Sequence, residues 1–196
     1  MKKRGWILSW LIIFVAGFLA GILFSAWRLD VAGKVSGPPP QSSSRDAGSQ
    51  REKRIAGLEK MVSAQPDNMK ALIQLGNDYF DSGKYQKAVD VYQKAIKIEP
   101  RNTNVLTDLG VGFRKMGKPH QAVEAFQKVL EIDPNQPVAL FNLGIVYRDD
   151  LKDLPAALKA WETFLQKAGD APYAVMVRPW VKQLREKLGS TGSGTK

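Results

Sequence analysis

The chain predicts an all-α fold: a right-handed α-solenoid of about three helical hairpins with a capping helix at each end, preceded by one transmembrane helix. Two observations predict it. Leu72, Leu75, Gly76, Tyr79, Ala88, Tyr92, Ala95 and Pro100 recur 34 residues later as Leu106, Leu109, Gly110, Phe113, Ala122, Phe126, Val129 and Pro134, and a third copy opens with Leu140, Leu143, Gly144 and Tyr147. A fixed period of that length marks stacked helical units, each burying its apolar face only against its neighbours. Upstream, Trp6 to Trp27 is a 22-residue stretch without a charge, long enough to cross a hydrocarbon core of ~30 Å.

Residues 1–5 and 6–27 thus read as a cytoplasmic N-terminus and a membrane anchor. Trp6 and Trp27 bracket the apolar run, where amphipathic indoles favour the interface. A cleaved signal peptide has a shorter apolar run of ~7–15 residues and a small-x-small cleavage pair. No convincing pair follows here, so an uncleaved signal anchor is expected. Lys2, Lys3 and Arg4 crowd the first side, and the positive-inside rule then places the N-terminus in the cytoplasm. The repeats would stand on the periplasmic face of a bacterial inner membrane; the alternative is a domain facing the cytoplasm. Gly17, Gly21 and Ser25 recur every four residues, as do Ala16 and Ala20. Such a ridge either pairs two anchors into a homodimer or with another subunit's helix, or reflects the general abundance of glycine in membrane helices.

Residues 28–50 are a linker rich in Gly, Ser, Pro and Gln, with Pro38, Pro39 and Pro40 as a stiff piece. A capping helix is expected within 51–68, because Leu58, Met61 and Pro66 match Tyr92, Ala95 and Pro100 minus one period. The three repeats occupy 69–102, 103–136 and 137–170. Asn68 and Asn102 stand where an N-cap is needed. Gly83 and Gly117 suit the left-handed position closing a first helix, and Pro100 and Pro134 stop the second. Gly76 with Ala88, and Gly110 with Ala122, are expected to let the two backbones of a hairpin approach. Gly144 to Ala157 spans one residue more, so the Asp149 to Asp153 turn carries an insertion, with Trp161 and Phe164 still packing inward. Tyr173, Met176, Val177, Trp180, Val181, Leu184 and Leu188 predict a C-terminal capping helix at 171–188, with a kink at Pro179 as one expectation. Residues 189–196 hold no apolar side chain and are expected to be disordered.

These repeats resemble the tetratricopeptide repeat, two antiparallel helices per unit. The resemblance implies a concave groove for a protein or peptide client, lined by the first helix of each unit. Asn77 and Phe80 come from the first unit, with Asp81 beside them. Asn104, Thr107, Asp108, Val111 and Arg114 come from the second, and Phe141, Asn142, Ile145 and Arg148 from the third. The asparagines can bond a peptide backbone, while Phe80, Val111, Phe141 and Ile145 offer an apolar floor. Arg114 and Arg148 are equivalent one period apart, and either grip a carboxylate or pair with local acids such as Asp149. Some members of the family clamp a C-terminal carboxylate with lysine, asparagine and arginine. Asn77 matches one clamp position, but Ile73, Asp108, Val138 and Asn142 replace the other four, so that mode is not supported.

Composition narrows the function further. With no cysteine, thiol redox chemistry, disulfides and thiolate metal sites are excluded. The single histidine, His120, has no second histidine for a catalytic or metal arrangement. No phosphate-binding glycine loop is present, so neither catalysis nor a cofactor nor a metal is expected. The net charge of +10 divides unevenly: residues 51–188 hold 22 Lys and Arg against 17 Asp and Glu. Those charges alternate rather than run together, which argues against nucleic acid. The leading expectation is a non-enzymatic, membrane-anchored adaptor that holds client proteins, in envelope protein assembly. A short anchor followed by such repeats looks like the bacterial subunits that hold apocytochrome for haem attachment, which is one alternative. A self-assembling structural scaffold is another.

Overall fold

The structure is a computed structural model and describes residues 42–170 and 173–192. The expected anchor at 6–27, its Gly17, Gly21 and Ser25 ridge and the linker up to residue 41 lie outside the described residues. Among the described residues no helix is long and apolar enough to cross a membrane. The chain divides into two units, Met1–Ser49 and Gln50–Lys196, and the repeats lie in the second.

Eight α-helices and no strand are found among the described residues. They are α1 (Ser42–Ala64), α2 (Met69–Asp81), α3 (Tyr85–Ile98), α4 (Thr103–Lys115), α5 (Pro119–Ile132), α6 (Pro137–Ile145), α7 (Leu154–Ala168) and α8 (Ala174–Gly192), with a π-helical turn at Val146–Asp150 after α6. From α2 onward each helix packs against its chain neighbours, the arrangement of a solenoid. Two expected boundaries move. Helix α1 begins at Ser42, inside the segment read as linker, and α8 continues through Pro179 and past residue 188 to Gly192, into the segment read as disordered. Both extensions are polar, with none of the apolar periodicity on which the sequence reading relied.

Local signals place each hairpin. The Asn68 and Asn102 side chains accept hydrogen bonds from the Ala71 and Val105 amides at 3.0 and 3.2 Å, satisfying donors that the first helical turn leaves open. Helices α2 and α4 close identically. Lys84 N donates to Tyr79 O and Lys118 N to Phe113 O, each at 2.9 Å, around Gly83 and Gly117 at φ of 72° and 69°. Glycine adopts that left-handed geometry without the Cβ clash.

The small residues act differently from the expectation that they let backbones touch. A Cβ on Gly76 would lie 2.3 Å from Tyr92 Cε1, one on Gly110 2.7 Å from Phe126 Cε1, and one on Gly144 2.0 Å from Trp161 Nε1. Each glycine therefore clears space for the aromatic ring of the following helix. Tyr92, Phe126 and Trp161 are all fully buried.

The third hairpin absorbs its extra residue as the π-helical turn. Leu151 N reaches back to Val146 O at 3.0 Å, and Asp153 N bonds Tyr147 O at 2.8 Å, one residue further along than in the first two hairpins. Lys152 then takes the left-handed position at φ 58° that glycine holds elsewhere. An L side chain is strained there. Lys152→Gly is expected to stabilise the fold by about 0.5–1 kcal/mol, the strain relief exceeding the added unfolded-state freedom. Thermal melting of the two proteins checks this; an unchanged or lower Tm would mean that Lys152 is not strained.

Helix α1 is held by Ile55 and Leu58 in the core and by polar links. Arg54 donates to both carboxylate oxygens of Asp78, which at 5% exposure is the one buried charged residue among the described residues. Tyr79 donates to Glu59, and Lys84 pairs with Glu52 at 2.9 Å. At the other end α8 buries Ala174, Val177, Val181 and Leu184 against Trp161 and Phe164. Tyr173 and Met176, expected in that buried stripe, are instead 41% and 45% exposed, and Ala174 takes the inward place.

Candidate client-binding pocket

Helices α2 and α4 are the first helices of successive units, and a pocket of about 320 Å³ lies between them. Asn77, Phe80 and Asp81 line it from α2, Tyr92 from α3, and Asp108 and Val111 from α4. Tyr92 was missed as a lining residue by sequence reasoning, because its ring belongs to the repeat's core pattern. Its hydroxyl nevertheless reaches the pocket and donates to Asn77 Oδ1 at 2.7 Å. Phe126, one period later, has no such group, which is the signal the sequence offered.

Asn77 thereby has its carbonyl occupied, and among the described residues no hydrogen bond engages its amide nitrogen. The Phe80 ring meets Tyr85 edge-on at 5.2 Å. Asp108 is half-buried and, among the described residues, makes neither a hydrogen bond nor an ion pair. Burial without a compensating cation pushes its carboxyl up to about 6. Burial, with the charges of Asp108 and Asp81 added, also raises the Tyr92 phenol well above its usual range.

The raised Asp108 pKa has a consequence for stability. In the unfolded chain this carboxyl ionises near 4, so folding opposes ionisation between about pH 4 and pH 6 and carries the full penalty above that window. Two pH units correspond to nearly 3 kcal/mol, and water reaching the partly exposed group trims this to about 1–2 kcal/mol. Asp108→Asn is therefore expected to stabilise the fold by that amount at pH 7.5 and by nothing at pH 4. Urea melts at both pH values check it, and equal shifts would show that the carboxylate is not desolvated.

The other predicted groove residues are placed differently. Arg114 Nε lies 2.5 Å from Asp150 Oδ2, with Asp149 at 3.8 Å. Arg148 Nε donates to Asp149 Oδ1 at 2.6 Å, and its guanidinium stacks over the rings of Trp161 and Trp180 at 4.8 and 4.4 Å. The Arg148 hydrogen bonds hold Asp149 below the usual carboxylate range. Both arginines are thus engaged within the chain. Phe141 stacks on Tyr173 at 4.9 Å and on Trp180 at 6.3 Å, and Ile145 packs in the same cluster against α8. The Asn142 amide donates to Val138 O at 2.8 Å and Thr107 Oγ1 to Thr103 O at 2.7 Å, both within their own helices. Asn104 is exposed and, among the described residues, unpartnered. The third unit's apolar floor is covered by α8, which leaves the space between the first two units as the open part of the predicted groove.

A second cleft, of about 400 Å³, is lined by Gln93, Ile96, Lys97, Leu109, Phe113, Gln121, Glu124 and Lys128. Its walls are polar chains over the core residues Leu109 and Phe113. Among the described residues no three His, Asp or Glu side chains gather where they could hold a metal.

Comparison with known proteins agrees with this geometry. A model described as TPR repeat matches residues 76–117, and two described as tetratricopeptide repeat match 103–136 and 125–159. No curated protein matches the chain. Among solved structures, a crystal structure of MamA superposes with a TM-score of 0.66 at 20% identity, covering 78% of this chain and 87% of that one. The Sgt2 TPR domain from Aspergillus fumigatus gives 0.56 at 22% identity, over 65% and 83%. The first TPR of Spaghetti (RPAP3), bound to the HSP90 peptide SRMEEVD, gives 0.55 at 21% identity, over 62% and 93%. The helical hairpins within residues 76–159 are thus similar to tetratricopeptide repeats, whose models match them in three overlapping stretches.

Proposed function

We propose that this chain is a non-enzymatic adaptor that holds a protein client in the pocket between α2 and α4. One observation carries the reading: an open pocket with an apolar wall of Phe80 and Val111 also presents the Asn77 amide and the Asp108 carboxylate without partners among the described residues. Polar groups left unpaired beside apolar surface are what a peptide segment satisfies. The uncharged stretch 6–27 supports anchoring in a bacterial inner membrane, and the cluster of Lys2, Lys3 and Arg4 supports a periplasmic repeat domain. Clients in envelope protein assembly, apocytochromes awaiting haem among them, fit that location.

A photoreactive amino acid at Val111, in the full chain in native membranes, tests the adaptor reading. A discrete crosslinked client is expected there and not from a control position at Lys94 on α3. Equal products from both positions would refute the pocket. Reporter fusions at the C-terminus test the topology.

Self-assembly is the second reading, supported by Tyr173, Val175 and Met176, which leave an exposed apolar strip at the start of α8. Mass measurement of the full chain in detergent over a range of concentrations separates the two. Growth that Val175→Glu abolishes favours assembly.

A further inference from the structure

We infer that the pocket between α2 and α4 takes a lysine or arginine side chain of the client, its apolar stem along Phe80 and Val111 and its cationic head on the Asp108 carboxylate. This rests on the client-binding reading above and adds the chemistry of what is bound.

The charges around Asp108 point one way. Helix α2 contributes Asp81, which sits at the pocket rim with Arg51 3.8 Å away, and the neutral Asn77. Helix α3 contributes the Tyr92 phenol, whose proton is already given to Asn77. On α4 itself, Arg114 is turned to Asp150 and Asp149. Helix α6 holds no charged residue, and the turn after it spends Arg148 on Asp149. On α5, Glu124 and Lys128 line the other cleft. No cation of the described residues reaches Asp108, so among them its charge is uncompensated.

A bare metal ion does not suit this place. Calcium takes six to eight oxygen ligands, whereas among the described residues no three His, Asp or Glu side chains gather here or elsewhere to hold a metal. A long basic side chain fits both halves, because lysine and arginine bury an aliphatic stem and present a charge at its end. The peptide SRMEEVD seen on the Spaghetti repeat domain is acidic; the uncompensated charge in this pocket calls for the opposite sign. Retaining a carboxylate that weakens the fold is the pattern of a group kept for binding. Since Asp108 ionises around pH 6, affinity should rise as pH climbs from 5 to 7.5.

The probe is a displayed library of random dodecapeptides, selected on the full chain in lipid nanodiscs at pH 7.5. Selected peptides are expected to be enriched in Lys and Arg. Replacing the key residue of a selected peptide by norleucine, or Asp108→Asn in the protein, should weaken binding about tenfold or more, as expected for losing one charge-assisted hydrogen bond. The Asn variant is isosteric, and a melt at pH 7.5 confirms that it is folded. Peptides that are lost in Val111→Trp, which fills the pocket, but that carry no basic residue or ignore Asp108→Asn would overturn this inference and leave the client-binding reading standing. Peptides that survive Val111→Trp, or a library that yields no binder, would count against both.

Discussion

Trp161→Ala is expected to lower the free energy of unfolding by about 3–5 kcal/mol, the largest loss from any single truncation in the third repeat. The indole is fully buried and its Nε1 donates to Phe141 O at 3.1 Å, so removal leaves a large cavity and forfeits that hydrogen bond. Trp180 lies 4.9 Å from it, and Arg148 sits over both rings. One side chain thus joins α6, α7 and α8. In a solenoid each unit is stabilised chiefly by its neighbours. The loss should therefore be local: in urea the third repeat and α8 should unfold before the first two units, giving two transitions where the parent shows one. Circular dichroism melts, with hydrogen exchange to locate the first transition, check both statements. A loss below about 1 kcal/mol would mean that α8 is not docked through this ring.

Periodicity made most of this architecture legible. Apolar positions repeating every 34 residues identify the hairpins, and Asn68, Asn102, Gly83 and Gly117 do in the structure what their chemistry predicts. The reason for Gly76 and Gly110 was not legible. Their spacing to Ala88 and Ala122 is constant, but so is their spacing to Tyr92 and Phe126, and only the contact distances show that the ring needs the space. Likewise the insertion was visible as one residue between Gly144 and Ala157, while its form as a π-helical turn follows from hydrogen bonding that no local residue pattern announces.

The same inserted residue explains why the pocket was harder to read than the fold. Arg114 and Arg148 look equivalent at one period's separation, yet their partners Asp149 and Asp150 belong to the altered turn, which the repeat does not contain elsewhere. Arg114 is drawn toward Asp150, and no cation of the described residues pairs with Asp108. A groove whose predicted lining mixes acids, amides and arginines is therefore acidic where it is open. Charge identity is local in sequence, but charge compensation depends on three elements meeting, and periodicity carries no information about that.

Gly144→Ala tests the glycine and ring pairing directly. On an exposed helix the change would stabilise by ~1 kcal/mol, because alanine is the better helix former. Here the new methyl would stand 2.0, 2.3 and 2.4 Å from Nε1, Cδ1 and Cε2 of Trp161. These atoms belong to a rigid ring that is itself fixed by the Phe141 hydrogen bond, so it cannot yield as a flexible chain end would. Overpacking of this kind costs about 1–3 kcal/mol, and against the helical gain it leaves a net loss of up to about 2 kcal/mol. In the Trp161→Ala background the ring is absent and the sign should reverse: the same Gly144→Ala change should then stabilise by up to ~1 kcal/mol. The two backgrounds would differ by about 1–3 kcal/mol, a coupling above the few tenths expected for independent sites. Equal effects of Gly144→Ala with and without the indole would show that glycine is needed at this position for its backbone alone, and that the aromatic ladder of Tyr92, Phe126 and Trp161 is a consequence of the hairpin rather than the reason for its glycines.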